Sequence, residues 1–375
     1  MADATVFVND LFDEDITIDN EAFPWVHAIN IKAKLNAARQ ATFQFSTREG
    51  LERCSIGSTI RIQASKSDVA AGIDFVGKIK SVVPGYEIST ATAFDYVADL
   101  NSSEMFNFKD RDFAGMDMIQ AAKQALNNGM DDNIYHVDAT TDIELRSLNR
   151  NCGVVYKPDQ GFGGYQTRKS FLDKIFSETY TQQPSTRFLS GAYPALTYLR
   201  WYYAIRNNNF LEVFMPDIYT NTPVAKLGQN SFNVVGNGLN ATIDTARMVN
   251  SIVVQSDATD FVATYADTNS INQYGSQSAL ITVKTPDPSK MKDLAFSIVN
   301  SNKEPAGAYT LIVENGHWID LGDIVEVSIP TLPNSKRFFV KEYTTSIKDT
   351  VTTTLTLGIG RITTAELVRR VSAEG

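Results

Sequence analysis

The stretch VTTTLTLGI, Val351 to Ile359, puts Val351, Leu355, Leu357 and Ile359 on one parity and Thr352, Thr354 and Thr356 on the other. A period of two fits a backbone whose successive side chains point to opposite faces, a β-strand with one dry and one wet side. The same signature recurs towards both ends of the chain. ATFQFST sets Phe43 and Phe45 against Thr42 and Gln44, and STIRIQAS sets Ile60 and Ile62 against Arg61 and Gln63. GDIVEVSIP sets Val325, Val327 and Ile329 against Ile324, Glu326 and Ser328. DFVGKIKSVVPG, broken at Pro84-Gly85, joins TATAFDYVADL, AYTLIVE and RFFVKEYTTSI in the same style. Strands at this spacing, with turn residues between them, predict a small antiparallel barrel or sandwich at each end. Gly77, inside its strand, is expected to mark a bulge or sharp bend.

Between the β regions the pattern changes. DFAGMDMIQAAKQALNNG carries Met116, Ile119, Ala122 and Leu126 at helical spacing, with Asp112 as N-cap and Gly129 as the residue that ends the helix. TRKSFLDKIFSETY groups Phe171, Leu172, Ile175 and Phe176 on one face of a second helix. A third helix follows Asp287 as N-cap and Pro288 in the first turn, with Met291, Leu294, Ala295, Ile298 and Val299 on its apolar face. At 375 residues the chain exceeds one ordinary core. The expected fold is mainly β with an α+β insertion: a first barrel over residues 1–104, a mixed α+β region over 105–230, and a second barrel with one packed helix over 231–375.

Composition removes several function classes. Hydrophobic residues make up 43% and aromatics 10%, which excludes a disordered chain. A net charge of −9 opposes a protein that grips nucleic acid through its phosphates, but not a surface that nucleic acid slides past. Two cysteines, Cys54 and Cys152, cannot make a disulfide framework. The acidic N-terminus lacks the basic and apolar regions of a signal peptide, and no run reaches the roughly 18 apolar residues that cross a bilayer. Assembly in a reducing cytosol is expected.

Chemistry-bearing motifs are sparse. The histidines are His27, His136 and His317, none in a catalytic motif, and no G-x-S-x-G elbow is present. His317, in ENGHWIDLGD, reads as a surface ring beside a tryptophan. No H-E-x-x-H, paired C-x-x-C or calcium-loop pattern occurs. The acidic groups Asp131, Asp132, Asp138 and Asp142, and Asp10, Asp13, Glu14 and Asp15, read as solvated segments before metal sites. DQGFGGYQ lacks the ending of a phosphate-binding loop and reads as a turn. No catalytic, cofactor-binding or metal residue is assigned, no cofactor is expected, and the chain is not expected to be an enzyme.

The order of features does carry a resemblance. A Ser-Ile-x-x-Tyr-Gly segment, Ser270 to Gly275, precedes the third helix; a Gly-Asp pair, Gly322-Asp323, opens a strand; and the last strand ends in Leu357-Gly358. Near the N-terminus a Phe-x-Gly-x-Ile segment, Phe75, Gly77 and Ile79, follows the strand STIRIQ. This order, over roughly residues 30–100 and 250–360, resembles the late-control-D-like hub family of phage tail baseplates. The resemblance implies two tail-tube-like antiparallel β-barrels per chain and a homotrimeric ring. It would join the sixfold tail tube to a threefold spike or central fibre.

It also implies further partners among baseplate wedge, distal tail and tape measure proteins. DNA would pass through an acidic channel without specific binding, no membrane would be entered, and the virion tail would be the location. In this light Ser270 and Tyr274 are structural. Gly275 supplies backbone freedom, and Tyr274 is expected to pack between sheet and helix with its hydroxyl partnered. The alternatives are another tube-like component, such as a distal tail protein or adaptor, and a cell-wall hydrolase. No appended catalytic domain is expected after the second barrel, where only RITTAELVRRVSAEG follows.

Overall fold

Alternation becomes extended backbone through the first hundred residues: β1 (Asp13–Ile18), β2 (Glu21–Ala22), β3 (Val26–Lys34), β4 (Gln40–Ser46), β5 (Thr59–Ser65), β6 (Ile73–Val83) and β7 (Ile88–Phe94). Two single-turn helices, α1 (Thr47–Gly50) and α2 (Asp99–Ser102), sit among and after them. The middle holds β8 (Phe106–Phe108), α3 (Met118–Asn127), β9 (Ile134–Asp138), β10 (Thr141–Ser147), β11 (Gly164–Gln166) and α4 (Arg168–Glu178). Then come β12 (Tyr180–Pro184), β13 (Leu196–Arg200), β14 (Tyr202–Ile205), β15 (Leu211–Phe214) and β16 (Ala225–Gly228). The last third runs β17 (Val234–Asp244), β18 (Ser251–Ser256), β19 (Val262–Ala266), α5 (Thr268–Tyr274), β20 (Ser278–Val283) and α6 (Pro288–Asn302). It ends with β21 (Ala306–Glu314), β22 (Ile324–Ser328), β23 (Lys336–Ile347) and β24 (Val351–Gly358).

This computed structural model describes residues 13–65, 73–102, 106–108, 115–127, 134–138, 141–147, 164–178, 180–184, 196–206, 211–218, 221–228, 234–244, 248–304, 306–328, 336–348 and 350–358. The expectations for Asp10, Asp112, Gly129, Asp131, Asp132, Cys152 and the segment after residue 358 lie outside them.

The class is the expected one, mainly β with an α+β middle. The pairings are broader than two sheets. One thirteen-stranded sheet runs β17-β21-β24-β23-β3-β4-β7-β6-β5-β1-β2, with β22 on β23 and β16 on β22 beside the main path. Among the described residues no pairing closes this sheet on itself. The seam between the two ends of the chain is antiparallel, from Glu342↔Lys34 to Ile347↔Ile29.

By contact the chain forms two compact units. One compact unit holds Met1–Thr179, Trp201–Asn240 and Thr310–Ile359; the other holds Tyr180–Arg200, Ala241–Tyr309 and Gly360–Gly375. Alternation reports which face of a strand is dry; it carries no information about which strand lies alongside.

In the first unit the dry side of the sheet buries Ile29, Ile31, Phe43, Phe45, Ile60, Ile62, Phe75, Ile347, Leu355 and Leu357. The α+β middle has its own core, where Ile119, Ala122 and Leu126 of α3 and Phe171, Leu172, Ile175 and Phe176 of α4 meet Tyr203, Ile205, Leu211 and Val213. In the second unit, β19-β18-β20 packs Ile252, Val254, Ala263 and Val283 against Met291, Leu294, Ala295, Ile298 and Val299 of α6. Asp287 caps α6 through the amides of Ser289 and Lys290, with Pro288 in the first turn, as the sequence predicts.

Candidate functional site

Phe75 and Ile79 point into the dry side of the sheet and are fully buried, with the Arg39 guanidinium over the Phe75 ring at 5.4 Å. Gly77 lies between them opposite Ile60 in regular register. The irregularity expected at Gly77 falls instead between Ile79 and Ser81. What Gly77 provides is room: a Cβ there would lie 2.4 Å from the Phe94 carbonyl oxygen.

Ser270 to Tyr274 belong to α5, which Asp267 caps. The Asp267 Oδ1 accepts from the Ser270 amide at 2.9 Å, and its Oδ2 pairs with Lys303 Nζ at 3.0 Å. Ser270 is buried; its hydroxyl donates to the Lys303 carbonyl and accepts from Asn250 Nδ2 at 3.2 Å. Asn250 also donates to the Gly275 carbonyl at 2.8 Å and accepts from the Gln277 amide at 2.8 Å. This serine ties α5 to the end of α6 and is occupied by that work.

Tyr274 is half-buried and lies outside the core shared by the small sheet and α6. Burial pushes the Asp267 carboxyl up, yet the Ser270 amide and the Lys303 ammonium outweigh it and hold the group below its usual range. Gly275 closes α5 at φ 79 and ψ 169, a region other residues avoid, with open space where a Cβ would stand. Gly275→Ala is therefore expected to cost on the order of 1–3 kcal/mol from backbone strain alone; a urea midpoint equal to that of the parent protein contradicts this.

Gly322 and Asp323 form the turn before β22, where the Gly322 amide donates to the Val340 carbonyl at 2.9 Å. Arg206 reaches this turn from the end of β14. It pairs with Asp323, with Asp320 at 3.4 Å and with Glu212 at 3.3 Å, and lies over the Phe214 ring at 5.7 Å. Burial raises the Asp323 carboxyl to about 6, against the opposing pull of Arg206.

A second buried cluster lies at the β3–β4 turn. The Asp95 Oδ2 accepts from the Arg39 amide at 3.0 Å and from its Nε at 3.3 Å, and Oδ1 accepts from the Val97 amide at 3.1 Å. Arg39 also bonds the buried Tyr343 of β23. In the same turn Asn36 sits at φ 57 and binds Tyr203 through both backbone and side chain. The Tyr203 hydroxyl donates to Asp173 at 2.5 Å. The sequence offered no sign of these clusters, since Arg39 and Asp95 lie 56 positions apart and Asn36 and Tyr203 lie 167 apart.

Asp95 is pushed up to about 6, chiefly by burial, from an ordinary value of 3.8. Between those values the folded protein holds a proton that the unfolded chain releases. The stabilising contribution is thus complete below pH 3.8 and is lost as pH rises through about 6. The expected result is that Asp95→Asn removes on the order of 1 kcal/mol of pH dependence between pH 5 and pH 7, read from urea unfolding; an unchanged slope contradicts it.

His317 is buried, 2% exposed, and not the surface ring expected from sequence: the loop after β21 folds inward with Ile319 and Leu321. His27 is half-buried on β3, and His136 lies on β9. Among the described residues no group of three His, Cys, Asp or Glu side chains is placed to hold a metal ion. Nor is any described helix long and apolar enough to cross a membrane. Cys54 is buried, and its thiol is pushed up to about 11 by that burial.

No protein-family model matches the chain, and no curated protein matches it. Solved structures do. A tail protein from Neisseria meningitidis superimposes with a TM-score of 0.58 at 15% identity, over 94% of this chain and 98% of that one. The 43 kDa tail protein of prophage MuSo2 from Shewanella oneidensis gives 0.57 at 10% identity, over 94% and 97%. Prophage tail protein gp18 from Listeria monocytogenes gives 0.53 at 11% identity, over 96% and 100%. The chain has the fold of these tail proteins along nearly its whole length.

Proposed function

We propose that the chain is the structural hub of a phage tail baseplate. Three copies form a ring that joins the sixfold tail tube to a threefold spike or central fibre and leaves a channel for DNA. The supporting observation is the seam from Glu342↔Lys34 to Ile347↔Ile29, which sets an N-terminal and a C-terminal group of strands edge to edge within one chain. On this reading the two groups are tube-like modules, and three chains present six of them. The likeness in fold to tail proteins over 94% of the chain supports the same setting.

Phe75, Gly77, Ile79, Ser270, Tyr274, Gly275, Gly322 and Asp323 act structurally, by packing, capping and close approach. The partners are the tail tube, the spike or central fibre, and neighbouring wedge, distal tail or tape measure proteins. Assembly takes place in the host cytoplasm, and purified protein has no turnover on peptidoglycan. Mass photometry at micromolar concentration tests the reading. A species of three chains is expected, and a chain that stays monomeric both alone and with tail tube present overturns it.

A further inference from the structure

The strands β3, β4, β7, β6 and β5 are successive neighbours in the large sheet. Beyond the end of β7, Tyr96, Val97 and Leu100 enter the core of the α+β middle, so this end of the sheet is covered by its own chain. The opposite end, at the β6–β7 turn, is open. Tyr86 is 99% exposed there, Ile56 70%, Val83 65%, Ile88 49% and Leu51 38%.

Hydrogen bonds fix these segments together. Thr47 of α1 donates its amide to the Glu87 carbonyl at 2.9 Å and its hydroxyl to the Gly85 carbonyl at 3.1 Å. The Leu51 amide reaches back to the Thr47 carbonyl at 3.3 Å, and the Gly57 amide, next to Ile56, donates to the Ile79 carbonyl of β6 at 2.8 Å. Arg53, paired with Glu21 at 3.5 Å, and the exposed Glu49 and Glu87 give the apolar cluster a charged margin. At about 200 Å² for a large side chain, the cluster opens roughly 600 Å². That is the upper end of what a monomer leaves uncovered, and most of the roughly 800 Å² that one partner brings to a standard interface.

We infer that this cluster is the surface on which the adjoining copy of the chain sits, with Tyr86 as its anchor, an assignment that rests on the hub reading. Position decides the occupant. The N-terminal strand group meets the C-terminal one of the same chain through β3 and β23. In a closed ring built from head-to-tail contacts, the side away from that seam faces the next copy. The cluster stands on that side, on β7, β6 and the loop entering β5, the second to fourth strands after β3. A tail tube arriving along the axis would instead need a similar surface on both strand groups. Among the described residues of β21–β24 and their connections, no large apolar side chain is exposed in this way. An apolar centre with a charged margin suits a lasting contact between copies, where the margin sets the register.

Tyr86→Ser, and independently Val83→Ser with Ile88→Thr, test the assignment. These side chains are open in the single chain, so the urea midpoint is expected to match that of the parent. Mass photometry over a dilution series is expected to show the ring of each variant coming apart at a concentration at least about tenfold higher than the parent ring does. Rings of parental stability in both variants would overturn the assignment and leave the hub reading standing. So would variant rings that persist but no longer bind tail tube, since the cluster would then face the tube. If the parent chain forms no ring, alone or with tail tube, the hub reading fails and the assignment with it. Glu87→Cys, at the margin, supplies a second readout: maleimide polyethylene glycol is expected to modify it in the diluted single chain and at least about tenfold more slowly in the ring, over the background that Cys54 and Cys152 give in the parent. Equal rates would overturn the assignment. If one variant does not fold, the other carries the result.

Discussion

Replacing Arg39 with alanine is expected to lower stability on the order of 3–5 kcal/mol, because it breaks a fully buried ion pair from one side. Arg39 and Asp95 both have side chains at 0% exposure, so water cannot compensate the remaining carboxylate. Tyr343 loses its bond to Arg39 as well, and the Phe75 ring loses the guanidinium that covers it. Asp95 would then take up a proton more readily, so the damage should be greater at pH 7 than at pH 5. Arg39→Met with Asp95→Leu, which removes both charges at similar volume, should recover much of the loss. Urea unfolding at the two pH values measures this. Equal stability of Arg39→Ala and the parent protein would show that the pair does not hold the β3–β4 turn.

The second large effect is expected at Gly322. Its φ of 79 is in the left-handed region, and a Cβ would lie 2.2 Å from a Phe214 ring carbon. Gly322→Ala combines a backbone cost of about 1–2 kcal/mol with overpacking of about 1–3 kcal/mol. The displaced Phe214 ring also lies against Arg206, so the carboxylates of Asp320 and Asp323 are disturbed together. Adding Phe214→Leu should relieve the overpacking and leave the backbone cost. If the double variant is no more stable than Gly322→Ala alone, the steric part of this account is wrong.

Much of the local structure was legible in the sequence. Val351, Leu355 and Leu357 alternate with Thr352, Thr354 and Thr356, and the first set is buried while the second is half-exposed. The α6 helix reads from its cap to its apolar stripe because each signal acts within a few residues. Pairing was not legible: that β23 lies against β3, some 300 positions away in sequence, follows from side-chain packing that no local pattern encodes. For the same reason Arg39, Asp95, Asn36, Tyr203 and Arg206 looked ordinary, although they hold the first unit together. Gly322 and Gly77 were singled out by their place in a motif, and each stands where a Cβ would collide. Tyr274, expected to pack between sheet and helix, is half-buried on α5.

The claim beneath the rest is that one chain supplies two strand modules, so that three chains stand in for six. Negative-stain class averages of the purified assembly, viewed down its axis, test it most directly. Six similar lobes around an open centre on one face, with threefold symmetry on the other, are the expected result; a twofold particle, or three lobes with no open centre, would contradict it.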